Sequence, residues 1–363
     1  MIFCANPRAQ YLLHKQEIDA AIQKVLDSGN YVLGAEVEAF ESEFSDHLGV
    51  AFSVGCGSGT DALALALKAM EIGDGDEVIV PSHTAVPTVA AIVMAGATPV
   101  FADVEPDYYT IDARQVEALC GERTKAIIAV HLYGQAADLE ALLEITAARG
   151  LRLIEDCAQA VGATWKGKRL GTIGDVGCFS FFPTKNLGAI GDGGAVVCND
   201  EQLAQRLRSL RQYGWNEQRV SQESGVNSRL DELQAAILRV KLKYLAADNA
   251  DRKRMALYYS EELKDFPITL HLERTNASHV YHLYVIQVNE REKLKAHLVN
   301  SGVHAGIHYP VPVHRMKAYQ DNTTVLPVTD RIVDRILSLP LYPGLMNEEL
   351  EQVVCAVRAY YGG

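Results

Sequence analysis

Basic charge is scarce in this chain: 34 Lys and Arg stand against 46 Asp and Glu, a formal charge of -12 with His neutral. Basic patches supply most of the affinity for nucleic acid and for anionic lipid surfaces, so this balance argues against both as partners. An anionic small substrate has to be met by donors collected locally. Uncharged apolar runs long enough to span a bilayer are absent, and Met1-Ile2-Phe3-Cys4-Ala5-Asn6-Pro7-Arg8 has no basic stretch leading into an apolar one. Neither a membrane anchor nor export is expected, and the reading is cytoplasmic. The seven cysteines stand singly, without CxxC spacing, which leaves reduced and buried thiols. The eleven histidines offer no pair at zinc spacing with a carboxylate motif, so no metal is expected. Repeats, low-complexity tracts and flexible linkers are missing as well.

What is present is an ordinary globular composition, 363 residues with 48% hydrophobic and 22% charged, enough for a large core in one or two domains. Apolar runs alternate with amphipathic stretches through the first half, the pattern of a parallel sheet covered by helices on both faces. Strands are expected at 77–81, 98–103, 125–131, 151–156, 177–181 and 195–199, with helices at 61–70, 86–95 and 139–148. From 228 to 263 the spacing predicts one or two long helices. Beyond them come a strand at 283–288, a helix at 290–300, a strand near 304–308, and helices before 337 and after 347. These imply an α/β large domain over 1–245 and a smaller α+β domain over 246–363.

Three stretches carry chemistry. In Cys178-Phe179-Ser180-Phe181-Phe182-Pro183-Thr184-Lys185-Asn186-Leu187-Gly188-Ala189-Ile190-Gly191-Asp192-Gly193-Gly194-Ala195 an aromatic strand ends in a lysine, and a glycine-rich turn returns the chain into another strand. Partial desolvation there disfavours the ammonium and frees an amine to condense with an aldehyde. A single lysine is more often a solvated surface residue, and the glycines fit neither a Walker A nor a dinucleotide spacing. In Leu153-Ile154-Glu155-Asp156-Cys157-Ala158-Gln159-Ala160 a strand ends on Asp156, at the carboxyl edge where ligands of parallel sheets bind. A buried Asp there suits the pyridine nitrogen of pyridoxal phosphate, which must stay protonated, and Gln159 is placed to face the same ligand. Turn or helix capping is the commoner use of such an Asp. Gly55-Cys56-Gly57-Ser58-Gly59-Thr60-Asp61-Ala62-Leu63 is a small-residue turn opening an apolar helix. Its backbone amides and the Ser58 and Thr60 hydroxyls suit a phosphate dianion, or a plain N-cap.

These series, in this order, make the chain resemble the DegT/DnrJ/EryC1/StrS family of sugar aminotransferases, pyridoxal-phosphate enzymes of fold type I. The likeness also takes in Ser28-Gly29-Asn30-Tyr31-Val32-Leu33-Gly34, Val130-His131-Leu132-Tyr133-Gly134-Gln135 and Gly225-Val226-Asn227-Ser228-Arg229-Leu230-Asp231. It ends with His308-Tyr309-Pro310-Val311-Pro312-Val313-His314 and Leu339-Pro340-Leu341-Tyr342-Pro343-Gly344.

The resemblance implies a mostly parallel sheet flanked by helices, with Lys185 forming an imine with pyridoxal 5'-phosphate. It further implies Asp156 at the pyridinium nitrogen, Gln159 near the ring oxygen, and Gly59, Thr60 and Ser180 at the phosphate. Asn227 matches an Asn that the neighbouring subunit supplies to that phosphate, which implies a homodimer with shared sites. Arg229 would bridge the interface or meet the substrate, and Tyr309 and His314 would approach the sugar nucleotide. Members commonly stack an aromatic ring on the cofactor from the segment matching Pro81-Ser82-His83-Thr84-Ala85, but here that position is Ala85, which leaves His83 to stack instead.

The implied reaction moves an amino group from L-glutamate to a keto-deoxysugar linked to dTDP or UDP, with the 3-keto position favoured over the 4-keto. Relatives that dehydrate instead have His where this chain has Lys185. A regulator that binds the cofactor without catalysis is the alternative of another class, and it has no need of an imine-forming lysine.

Overall fold

The computed structural model describes residues 1–321 and 323–362. Its centre is a seven-stranded sheet in the order Phe52–Cys56, Gly194–Cys198, Val176–Ser180, Arg152–Asp156, Thr124–Val130, Glu77–Pro81, Thr98–Ala102. Gly194–Cys198 runs antiparallel to both neighbours, and every other adjacent pair is parallel. The six strands expected in the first half are therefore present, each within one residue of its expected bounds, whereas the strand expected near 304–308 is only Val303–His304. Phe52–Cys56 was not foreseen, because a five-residue segment containing Gly55 carries little strand signal.

Side-chain alternation along these strands fills two cores. Val78, Val80, Ala126, Ile128, Ile154, Val176, Cys178 and Val196 pack on one face. Ile79, Ile127, Ala129, Leu153, Phe179, Ala195 and Val197 pack on the other. A sheet buried on both faces reads as continuous apolar runs, which is why the strands were legible. Gly59–Ala69, Val86–Met94 and Glu201–Leu210 cover the first face, and Ala35–Leu48, Leu139–Arg149 and Glu232–Leu242 the second. Gly59–Ala69 buries Ala62, Leu63, Leu65, Ala66, Leu67 and Ala69. At about 1.5–3 kcal/mol for each fully buried leucine, this packing anchors the helix whose first turn faces the site.

The stretch after 228 forms two helices, Glu232–Leu242 and Leu245–Leu263. A third core joins Met255, Tyr259 and Leu263 to Tyr284, Ile286, Leu337, Leu339, Val353 and Val357, and takes in Ile2 from the far end of the chain. Tyr284–Gln287 pairs antiparallel with Ile336–Leu339, and Val303–His304 pairs parallel with Ile2–Phe3.

Candidate active site

Registry decides which carboxylate reaches the cavity. Val130 lies opposite Asp156, and Asp156 opposite Cys178, so Val130, Asp156 and, two residues past Cys178, Ser180 share one sheet face at the carboxyl ends of neighbouring strands. All three line a cavity of about 420 Å³. Glu155, one residue earlier, faces the other side. It accepts hydrogen bonds from His131 Nε2 at 3.0 Å and from the Gly171, Ile173 and Gly174 amides at 2.7–2.8 Å. His131 Nδ1 in turn accepts from the Ala137 amide at 3.1 Å, so this cluster is a closed hydrogen-bonded brace beneath the site.

At one end of the cavity the helix Gly59–Ala69 begins. Ser58 caps it by accepting from the Asp61 amide at 3.1 Å, and the Ser58 carbonyl takes the Ala62 amide. The Gly59 and Thr60 amides are left without a protein acceptor among the described residues. Two free N–H groups at a helix start, flanked by the Thr60 and Ser180 hydroxyls, make a cradle for a phosphate dianion.

Gly59 is required sterically, since a Cβ there would sit 2.6 Å from Ser180 Cβ. Gly59→Ala is expected to weaken pyridoxal phosphate binding by about 1–3 kcal/mol, roughly 5- to 150-fold, as read by titrating apoenzyme with the cofactor. Unchanged affinity in a folded variant would remove the phosphate from this end of the cavity.

Lys185 enters from the loop that joins Val176–Ser180 to the antiparallel Gly194–Cys198, and it lines the cavity half-buried. Its neighbour Asn186 is fully packed. The Asn186 amide nitrogen donates to Asn249 Oδ1 at 2.7 Å and to the Val280 carbonyl at 3.0 Å, which fixes the loop to the rest of the chain. Burial pulls the Lys185 ammonium down to about 8, against the opposing pull of the Asp156 carboxylate. Asp156 is itself pushed upward, first by burial. Thr88 Oγ1 donates to its Oδ2 at 2.9 Å and the Ala158 amide to its Oδ1 at 3.1 Å, both of which favour the charged form, as does Lys185. Gln159 and Tyr309 complete the lining, with Gln159 Nε2 donating to the Tyr309 oxygen at 2.8 Å. Burial pushes the Tyr309 phenol up to about 12.

Of the residues singled out from the sequence, Gly59, Thr60, Asp156, Gln159, Ser180, Lys185 and Tyr309 line this one cavity. His83, Asn227, Arg229 and His314 do not. His83 corrects an expectation: a ring that stacks on a ligand must present a face to the pocket, yet His83 has 0% exposure and is held by Tyr133 OH at 2.8 Å. Ala85 lines the cavity instead. His314 is buried against Ser82, Nδ1 to Oγ 2.7 Å. Asn227 is exposed and Arg229 half-exposed. The intervening Ser228 braces the phosphate loop of its own chain, accepting from the Gly57 amide and donating to Asp61 Oδ2, both at 2.9 Å.

Sequence reasoning missed Thr88 and Tyr133. The only signal for Thr88 was its hydroxyl partner Thr84 four residues earlier, 3.0 Å away.

An amine lowered toward neutrality beside a buried carboxylate, within reach of an anion cradle, suits pyridoxal phosphate from phosphate to ring nitrogen. The fold and the site together define a pyridoxal-phosphate-dependent aminotransferase of fold type I. Residues 13–358 match the model of the DegT/DnrJ/EryC1/StrS aminotransferase family, and the chain belongs to that family.

It is 45% identical to the UDP-N-acetyl-3-dehydro-alpha-D-glucosamine 3-aminotransferase of Acidithiobacillus ferrooxidans, over 97% of this chain and 95% of that protein. It is 46% identical to the dTDP-3-amino-3,6-dideoxy-alpha-D-galactopyranose transaminase of Aneurinibacillus thermoaerophilus, over 96% of each. Among solved structures, S. venezuelae DesV in complex with a ketimine intermediate superposes with a TM-score of 0.97 at 43% identity, covering 99% of this chain and 98% of that one.

Proposed function

We propose that the enzyme transfers the amino group of L-glutamate to C3 of a keto-deoxysugar carried on UDP or dTDP, in the making of amino sugars for lipopolysaccharide or polysaccharide. The observation that carries the reaction class is Lys185 and Asp156 facing one cavity whose far end is the Gly59–Thr60 cradle. The choice of C3 is supported by the two relatives above, whose names place the amine there.

When bound, pyridoxal phosphate supplies an aldehyde that takes up amines and a ring that draws electrons from the adjoining carbon. The protein's residues do the rest. The Gly59 and Thr60 amides with the Thr60 and Ser180 hydroxyls hold the phosphate, and Asp156, kept in place by Thr88 and Ala158, holds a proton on the ring nitrogen. Lys185, its ammonium lowered by burial, would as a free amine take the proton from the α-carbon of the amino donor and as an ammonium give one to C3 of the acceptor sugar, so that its own protonation is restored over the full exchange. Incubating the enzyme with glutamate and a panel of 3-keto and 4-keto sugar nucleotides tests the assignment. Amination confined to 4-keto acceptors, or none with either class, would overturn it.

The active unit in this reading is a homodimer in which Asn227 of one subunit reaches the phosphate of the other. Its exposure in the single chain, outside that chain's own cavity, supports the assignment. Mixing an Asn227→Ala variant with a Lys185→Ala variant is expected to restore up to about a quarter of the activity, since random pairing generates one intact shared site in the mixed dimer. No recovery after subunit exchange would place both residues in one chain's site. No described helix is long and apolar enough to cross a membrane, and we read the enzyme as acting in the cytoplasm with its nucleotide-sugar substrate.

A further inference from the structure

Tyr133 is buried at 0% exposure yet sits at φ 61°, in the left-handed region that residues other than glycine rarely occupy. Such a conformation persists when the surroundings over-determine it, and hydrogen bonds to the Tyr133 amide, carbonyl and phenol do so here, the carbonyl accepting from the Leu283 amide at 3.4 Å. The Tyr133 amide donates to Gln159 Oε1 at 2.7 Å. Its phenol donates to the His308 carbonyl and therefore accepts from His83 Nε2 at 2.8 Å. The first bond settles the orientation of the Gln159 amide: the oxygen is committed to Tyr133, so the nitrogen faces Tyr309. An amide nitrogen only donates, which makes the Tyr309 oxygen the acceptor. The second amide hydrogen of Gln159 and the hydroxyl hydrogen of Tyr309 have no acceptor among the described residues, and both side chains line the cavity.

We propose that Tyr133, backed by His83, is a positioning residue that turns Gln159 and Tyr309 into paired hydrogen-bond donors for a negatively charged oxygen of the bound ligand. The backbone amide sets the glutamine, and the phenol holds the peptide that carries Tyr309. His83 thus acts on the site through Tyr133 and not by stacking. The inference rests on the reading of this cavity as the cofactor site, where the oxygen is the one on the cofactor ring.

Donors on that oxygen stabilise the more anionic form of the bound cofactor, so they lower the pH at which its visible absorption changes. The test is a spectrophotometric pH titration of the holoenzymes, without sugar or amino donor. Tyr309→Phe is expected to raise the midpoint by about one pH unit, and Tyr133→Phe, which keeps the backbone amide, to raise it by a smaller amount. Because Tyr133 acts through Tyr309, the double variant should titrate like Tyr309→Phe alone. A Tyr133→Phe midpoint equal to wild type with lowered thermal stability would reduce the residue to a structural role, and additive shifts would overturn the coupling. An unmoved midpoint in Tyr309→Phe, a change inside the cavity, would overturn the donor pair whether or not Tyr133→Phe folds. A wild-type enzyme with a normal cofactor band but no sugar amination would sink the substrate assignment and leave this inference standing.

Discussion

Lys185→Ala and Lys185→Arg are expected to reduce transamination by at least about 10³-fold while leaving the fold intact, because one side chain serves as nucleophile and then as acid and base. Arginine stays protonated throughout the accessible pH range, so it keeps the charge beside Asp156 and loses the chemistry. The pH dependence follows from burial. With the Lys185 ammonium pulled from 10.5 to about 8, half of the amine is neutral at pH 8 in the apoenzyme. That is roughly 100-fold more nucleophile than an exposed lysine offers at that pH. Aldehyde or acylating probes should therefore modify apoenzyme at this position with a midpoint near pH 8, read by peptide mass.

The stability sign is opposite to that of a paired lysine. A lowered folded pKa means the unfolded chain binds more protons between about 8 and 10.5, so the cost of the buried ammonium is fully present below pH 8 and fades as pH rises through that window. Lys185→Ala apoenzyme should accordingly unfold at neutral pH no more easily than wild type. Turnover retained in either variant, with the cofactor bound, would remove Lys185 from the reaction.

What the sequence disclosed was whatever its local pattern implied. Asp156 ends a buried strand, Gly59 starts an apolar helix, and Lys185 follows an aromatic strand. Each is placed by its own few neighbours. What stayed hidden depends on distant pairings. Thr88 reaches Asp156 across 68 positions, Gln159 meets Tyr309 across 150, and Tyr133 joins them only because its turn and the 308–309 peptide come together in the fold.

The same limit explains the helix Ala35–Leu48. Its start is capped by Glu232, which accepts from the Gly34, Glu36 and Val37 amides at 2.8–3.0 Å, while the position before the helix is a glycine with no side chain to read. Lys15–Ser28 buries only Ile18 and Val25, too sparse a stripe to declare a helix. His83 was misplaced for a related reason: Ala85 stands where a stacking ring was expected and His83 was the ring nearest to it in the segment, but only the packed structure shows its ring nitrogen committed to Tyr133.

Asp156→Asn separates function from stability more sharply than any other single change here. The amide can preserve both hydrogen bonds, its oxygen accepting from Ala158 and its nitrogen donating to Thr88 once that hydroxyl turns. What it removes is the negative charge that keeps a proton on the cofactor's ring nitrogen, so turnover is expected to fall by about 10²–10³-fold with the phosphate end still gripping the cofactor.

Stability should move the other way. Burial raises the folded pKa of Asp156 above its ordinary 3.8, so the folded protein binds more protons than the unfolded one between that value and the folded pKa. The ionised carboxylate therefore costs stability at neutral pH, a cost absent below about 3.8 and complete above the folded pKa. The neutral amide does not carry it. Apoenzyme melting curves at pH 7 should show Asp156→Asn unfolding at or above the wild-type temperature, with single-turnover transamination from glutamate slowed in the same preparation. A variant that melts lower and reacts normally would mean that this carboxylate braces the sheet edge and takes no part in the chemistry.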